Sequence, residues 1–380
     1  MLNCMDQIAT LYVLLKRNGP AHELMRGIRE CRRADVYPRI ILQEPTVENC
    51  RWVNAQSSRG VLGVIGDFND LATEELLIDF RVPKINTSVQ TPETTMIRVA
   101  VDNAAIGRLA AEYFLDSDYR HFAYIGCRAS YWSRLRCEGF HGRLAAAGSA
   151  TFQDIEADQL SAKLLRRLPQ PLAVLAGDDR LGIQVVEQAR KARLRVPNDI
   201  AVLGVNNDDV LCEMAAVPLS SIDDNGRQLG VQAMSILDRI RHGQHPPRGE
   251  TLVPPNGVVV RASTEAVAVD DKDIAVALKI IRREACSGLT VEDLAERLGI
   301  SRGTIDRRFR QVLGHTPFQE IRRVRFENAR RLLSQTRLKV AAIGRRCGYS
   351  DAKRFAKEFR ADTGSPPTAW RMTHGSERPG

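Results

Sequence analysis

At 380 residues the chain is longer than the roughly 100–200 residues one domain usually takes, so two or three domains are expected. With 43% hydrophobic and 27% charged residues, a disordered, collagen-like or low-complexity chain is excluded. The net charge of +9 is uneven: residues 1–269 hold 31 Lys and Arg against 32 Asp and Glu, residues 270–380 hold 24 against 14, so a near-neutral sensing or catalytic module precedes either a nucleic-acid-binding module or a merely solvated basic surface.

The first apolar run, Ile8 to Leu15, is too short to cross a bilayer and follows Asp6 instead of a positive segment. It reads as a buried strand and not as a signal peptide. Apolar runs then alternate with helical patterns. Leu11 to Leu15 precedes Ala21 to Cys31, Gly60 to Ile65 precedes a stretch from Leu71 to Asp79, and Val99 opens onto Ala104 to Leu115. Phe122 to Ile125 precedes Leu135 to Ala147, Ala173 to Leu175 precedes Leu181 to Ala192, and Ile200 to Val205 leads through a loop to Gly226 to Ile240. Such alternation is the signature of doubly wound parallel sheets buried on both faces. It is too long for one sheet, so residues 1–265 are expected to form a two-lobed α/β domain with two such sheets.

In these folds ligands sit at the carboxyl ends of strands. The loops there carry Asp67 and Asn69, Asp102 and Asn103, Trp132 to Arg136, Asp178 and Asp179, and Asn206 to Asp209. Carboxylates and amides pair with hydroxyls, the forks of Arg134 and Arg136 donate twice, and Trp132 can stack on C–H faces, which suits a neutral polyol or sugar. Each Asp or Asn taken alone reads more readily as a helix cap or turn, and it is the five loops together that weaken that reading. The eight cysteines show no C-x-x-C pair and no His at zinc-ligand spacing, so reduced thiols are expected, and neither a metal nor a cofactor.

The segments Val99 to Gly107, Arg134 to Phe140, Pro171 to Gly182, Val196 to Asp209 and Pro218 to Ile222, in this order, resemble the effector domain of LacI-type regulators. The resemblance implies the periplasmic-binding-protein-like fold and a sugar cleft lined by Asp102, Arg136, Asp178, Asp179 and position 206. That position is Asn206, where the family usually has an aspartate. LacI-type proteins begin with a DNA-binding helix-turn-helix, whereas this chain starts almost at its first strand, so DNA binding is expected elsewhere.

A Pro-rich stretch, Pro246-Pro247 and Pro254-Pro255, closes this module, and Asp270 to Asp273 opens a wholly helical one. Ile274 to Ala285 is amphipathic. Thr290 to Ser301 reads as a capped helix, a Gly turn and a second cap. Ser301 to Arg310 carries Ile305 and Phe309 on one face and Arg302, Thr304, Arg307, Arg308 and Arg310 on the others, a helix-turn-helix pattern. The pattern recurs in Val340 to Ser350 and Asp351 to Arg360, with Phe355 and Phe359 as the seam and Ser350 as the cap. Between the two units Pro317 to Ser334 reads as a connecting helix with Arg322, Arg323, Arg325, Arg330 and Arg331 exposed.

Gly344 to Arg360, Thr363 to Pro367 and Trp370-Arg371 resemble the AraC-type DNA-binding domain, which residues 273–372 would form, with 373–380 as a tail. The resemblance implies two recognition helices in successive major-groove segments. Arg302 belongs to the basic face of the first; Thr304, Asp306 and Arg307 in the first, and Lys353, Arg354 and Lys357 in the second, become candidates for base or phosphate contact. A LacI-like sensor followed by an AraC-like reader resembles XylR-type regulators of xylose operons. That arrangement implies a cytoplasmic homodimeric activator that binds double-stranded DNA at direct repeats, recruits RNA polymerase and responds to xylose or a related sugar. A sugar-responsive repressor is the alternative. A carbohydrate-active enzyme is disfavoured, since no phosphate-loop, nucleophile-elbow or zinc-protease string occurs; no catalytic residue and no membrane partner is expected.

Overall fold

A strand covered on both faces needs apolar side chains at nearly every position, and the longer interior strands of this protein have them. The computed structural model describes residues 9–16, 19–31, 38–148, 151–265, 271–336 and 338–374, and the chain forms two units, Met1–Thr264 and Glu265–Gly380. The first lobe of the first unit begins with β1 (Thr10–Leu14), α1 (Gly19–Glu30), β2 (Arg39–Gln43), α2 (Val47–Asn54), β3 (Val61–Gly66), α3 (Leu71–Glu75), β4 (Lys84–Asn86) and β5 (Ile97–Val101). The chain continues through α4 (Asn103–Leu115), β6 (His121–Gly126), α5 (Tyr131–Ala146), β7 (Thr151–Glu156), α6 (Ala162–Arg167), β8 (Leu172–Ala176), α7 (Asp179–Lys191), β9 (Ile200–Val205), α8 (Asp209–Met214) and β10 (Ser220–Asp223). It then returns through α9 (Gly226–Arg241), β11 (Thr251–Val253) and β12 (Gly257–Val259).

Among the described residues these strands form two six-stranded sheets, ordered β11-β5-β4-β3-β1-β2 and β12-β10-β9-β8-β6-β7. Pairing is parallel except between β10 and β12. Cores cover both faces of the first sheet. Leu11, Val13, Ile65 and Val99 pack with α1 and the returning α9 on one side, while Tyr12, Leu14, Val64, Phe68 and Phe80 pack on the other. Ala123, Ile125, Val174, Val202 and Val185 centre the second lobe. The strands without a long apolar run are the four edges, β2, β7, β11 and β12, and two short interior strands, β4 and β10: an edge strand has one flank in solvent and tolerates Arg39, Gln153 or Thr251, while the buried hydroxyls of Ser220 and Ser221 in β10 are hydrogen-bonded to Arg261 O and Asp179. The expected loop after Val205 contains α8 and β10, and the helix expected over Leu71 to Asp79 ends at Glu75.

The second unit comprises α10 (Lys272–Glu284), α11 (Val291–Leu298), α12 (Arg302–Leu313), α13 (Pro317–Gln335), α14 (Val340–Arg346), α15 (Ala352–Thr363) and α16 (Pro367–His374). Thr290 and Asp293 cap α11 reciprocally, Ser301 caps α12, and Gly299 turns between them at φ 63°, a conformation that favours glycine. The second unit's recognition helix is capped by Asp351, not by Ser350, because the Asp351 carboxylate reaches the Lys353 N–H. There are two small cores. Ile281, Leu294, Ile305, Phe309 and Ile321 form one; Phe326, Leu333, Ile343, Phe355 and Phe359 form the other, with Trp370 edge-on to Phe359. The long α13 contributes to both. Residues 373 and 374, expected in a tail, complete α16, while 375–380 and the junction at 266–270 lie outside the described residues.

The connecting-helix arginines are not exposed as expected. Arg325 is half-buried and donates to Ala285 O and Leu289 O at 2.8 and 3.0 Å. Arg323 bonds to Glu320, and Arg322 and Arg330 approach Asp362. The helix packs on both sides, so its basic side chains find acceptors within the fold; the side chain of Arg331 is outside what is described.

Candidate ligand cleft and nucleic-acid interface

Three passages of chain link the lobes: β5 to α4, β10 to α9, and β11 to β12. They are tied to one another, with the Asp102 N–H donating to Val253 O at 2.8 Å, Asn256 N–H to Asp223 O at 2.9 Å, and the Asn225 amide to Pro254 O at 3.1 Å. Beyond these passages the loop after β4 meets the loop after β6, where the Gln90 side chain bonds to Ala129 O and the Tyr131 N–H.

Helices α4 and α5 approach as closely as backbone allows. A Cβ at Gly107 would meet Arg136 O at 2.1 Å, and one at Gly139 would meet Ala104 O at 2.2 Å. This contact brings Arg136 against the start of α4. Its Nε donates to Asn103 Oδ1 at 2.8 Å, Nη1 to Gly177 O at 2.6 Å and Nη2 to Asn206 Oδ1 at 3.4 Å. The guanidinium carbon lies 4.9 Å from the centre of the Trp132 ring. Arg136 is 5% exposed, and burial lowers its pKa against the opposing pull of Tyr124, Asp224, Asp178 and Asp179. All three acceptors are neutral. A guanidinium has five N–H groups, so two remain for other partners.

Three carboxylates, Asp224, Asp178 and Asp179, act on this cation from beyond hydrogen-bonding distance. Asp224, in the second passage, is buried, and burial raises its pKa to about 6 against the pull of Arg136. Asp67, at the end of β3 in the first lobe, is likewise raised by burial, with Lys16 opposing. Asp178 and Asp102 act as caps: their Oδ1 atoms accept the Leu181 and Ala105 N–H groups, each at 2.8 Å, and Asp102 Oδ2 is 3.5 Å from Arg108. Asp179 turns into the second lobe, accepting from Ser221 Oγ at 2.5 Å and the Asp208 N–H at 2.8 Å; burial raises it to about 7.

The expected ligand residues therefore divide. Trp132, Arg136 and Asn206 converge, with Asp178 beside them and Asp102 at the first passage. Asp179 supports the wall behind. Arg134 is exposed, donates to Arg128 O and lies over the Tyr131 ring, apart from the cluster. Asn206 has φ 100° and Asn207 φ 51°, and the turn this makes lets Asn207 N–H reach Ser221 Oγ. Asparagine and aspartate are among the few side chains that tolerate that region, so the backbone accounts for a short polar residue at 206 and not for the amide in place of an aspartate. Asn103, in one of the strand-end loops, joins the cluster by accepting from Arg136, and Asp224 joins it without a distinctive sequence signal, since an Asp in Asp223-Asp224 reads as a turn residue. No group of three His, Cys, Asp or Glu among the described residues is arranged to hold a metal ion.

In the second unit the buried seams Ile305/Phe309 and Phe355/Phe359 leave opposite faces outward. On α12, Arg307 is exposed, Arg302 pairs with Glu292, Asp306 is half-exposed and the Thr304 hydroxyl meets Ser301 Oγ at 2.8 Å. Arg308 is withdrawn, its Nε 2.8 Å from Asp271 and Nη1 2.6 Å from Asp273. On α15, Lys353, Arg354 and Lys357 are exposed, and Arg354 bonds to Glu358 at 2.8 Å. Two basic helices with apolar seams form the surface that a DNA major groove admits.

A family model for a periplasmic binding protein-like domain matches residues 111–264, and one for a helix-turn-helix domain matches 294–373. The xylose operon regulatory protein of Escherichia coli is 28% identical over 326 residues, which cover 81% of this chain and 83% of that protein. Its namesake in Haemophilus influenzae is 24% identical over 327 residues, 82% and 84% of the two chains. The solved structure of the xylose-binding transcription activator XylR has a TM-score of 0.59 at 24% identity, covering 97% of this chain and 98% of its own, and so shares the fold. No helix among the described residues is long and apolar enough to cross a membrane.

Proposed function

Since this chain is a XylR-like transcription regulator, a periplasmic-binding-protein-like domain followed by an AraC-type helix-turn-helix domain, we propose that it activates transcription in the cytoplasm when xylose or a related sugar enters the cleft of its first unit. The observation that carries the sugar reading is Arg136: a buried guanidinium on neutral acceptors, with donors to spare and an aromatic face across it. Ring hydroxyls would accept from Arg136 and Asn206 and donate to Asp178 and Asp102, while a C–H face packs on Trp132. A neutral ligand fits better than an anion, because Asp178, Asp179 and Asp224 already oppose the cation.

The DNA reading rests on the exposed Arg307, Lys353 and Lys357, with Arg302, Thr304, Asp306 and Arg354 alongside, presented to successive grooves as α13 spans both cores. A homodimer on direct repeats and recruitment of RNA polymerase complete the proposal. Sugar would act by binding the closed cleft more tightly than the open one, since equal affinity shifts no equilibrium. A thermal-shift screen across pentoses, hexoses and sugar acids tests it, followed by operator titrations with and without D-xylose. Stabilisation by a pentose is expected; stabilisation by sugar acids alone would exclude a neutral ligand.

A further inference from the structure

Beyond the three passages, a side chain of the first lobe reaches the second. Gln90 lies between β4 and β5. Its Oε1 accepts the Tyr131 N–H at 2.8 Å, and its Nε2 donates to Ala129 O at 3.3 Å, so one amide is bonded in both senses to the backbone that starts α5. Trp132 and Arg136 follow on that helix.

The loop carrying Gln90 is built to hold still. Glu74 is 2% exposed, and its carboxylate accepts from Asn86 Nδ2 at 2.6 Å, Thr94 Oγ1 at 2.6 Å, Thr91 Oγ1 at 3.2 Å and the Thr95 N–H at 3.3 Å. Asn86, fully buried, accepts from the Phe68 and Ser88 N–H groups. The Ser88 hydroxyl in turn accepts the Gln90 N–H at 3.0 Å. A buried carboxylate is costly unless its oxygens are satisfied, and here four donors satisfy them. That network fixes the 86–95 backbone, so Gln90 is presented to the opposite lobe from a rigid support.

We infer that Gln90 is a latch between the lobes: it holds the cleft closed over a bound sugar and sets the rate of sugar release. It is a positioning residue, acting through the start of α5, and the inference rests on the sensor reading above. Closing the cleft makes two hydrogen bonds that opening breaks, so their loss falls on dissociation and leaves encounter nearly unchanged.

The test uses the full chain with Gln90→Met, which keeps the length of the side chain and removes both hydrogen bonds, and Gln90→Ala. Two measurements are needed: amide hydrogen exchange over residues 127–133, and D-xylose association and release followed by tryptophan fluorescence in stopped flow. The expected result is faster exchange of the Tyr131 amide in both variants, with release about tenfold faster and association within about twofold of the parent. Unchanged exchange, or faster exchange with unchanged release, overturns the latch. Failure of the parent protein to bind any pentose or hexose, with exchange still faster in the variants, overturns the sensor reading while leaving the contact across the lobes in place.

Discussion

Arginine does opposite work in the two units. In the first, Arg136 is withdrawn from water onto three neutral oxygens, so its remaining N–H groups form a fixed, poorly hydrated donor site. In the second, arginines either tie helices together, as Arg325 and Arg308 do, or stay in solvent, as Arg307 does. A charge in low dielectric buys selectivity for one small partner; a charge in solvent supplies long-range, salt-sensitive attraction to a polyanion. Under the proposed function the same side chain would be a specificity element in one place and a structural tie or electrostatic handle in the other.

That contrast can be broken most severely at Arg136. Arg136→Ala should lower the thermal stability of the first unit by about 3 kcal/mol, because it leaves acceptors and the Asp224 carboxyl buried without their cation. It should weaken sugar binding about 100-fold, read by calorimetry, with DNA affinity in the absence of sugar retained. Loss of DNA binding in this variant would show that the two units do not work separately. Next in size is Arg325→Ala, expected to destabilise the second unit by about 2 kcal/mol in denaturant titration, since two carbonyls lose their donor. A fully exposed phosphate-binding arginine would show no such loss.

The acid side of the contrast is sharpened by pH. Asp179 ordinarily titrates at 3.8, and burial raises it to about 7 in the folded protein. The folded state then holds a proton that the unfolded state has released, so stability falls as pH rises from about 4 to about 7 and levels off above. Asp179→Asn should flatten that slope in thermal melts; an unchanged slope would assign it to Asp224 instead. A smaller effect is expected at Lys357, where Ala substitution should weaken DNA binding about fivefold and reduce the salt slope by about 0.9, measured by operator titration at several salt concentrations. Smallest of all is Arg302→Ala. It removes a surface pair with Glu292 and should change stability by no more than about 0.5 kcal/mol in the same denaturant titration.

Much of this was legible in the order of residues. The longer interior strands and the two helix-turn-helix seams stand out, because burial on both faces or along one helical stripe imposes a local pattern; Arg136 is singled out by the resemblance to LacI-type effector domains. Edge strands left no such pattern. Arg134 and Arg136 look alike on paper, and only the helix turn points one into solvent and the other into the cluster. Gln90 is less visible still: it follows the three-residue β4, and its partners lie about forty residues away, on a lobe whose distance in space no local spacing encodes.

By itself the sequence determined the class of each unit, their order, and the division of charge that separates a sensor from a reader. These follow from periodicity and composition, which act residue by residue. The tertiary structure alone decided which polar groups meet. It set Arg136 on its three acceptors, turned Asp179 inward, paired Arg325 with carbonyls and set Gln90 against α5, because hydrogen-bond geometry depends on how the lobes and helices are brought together.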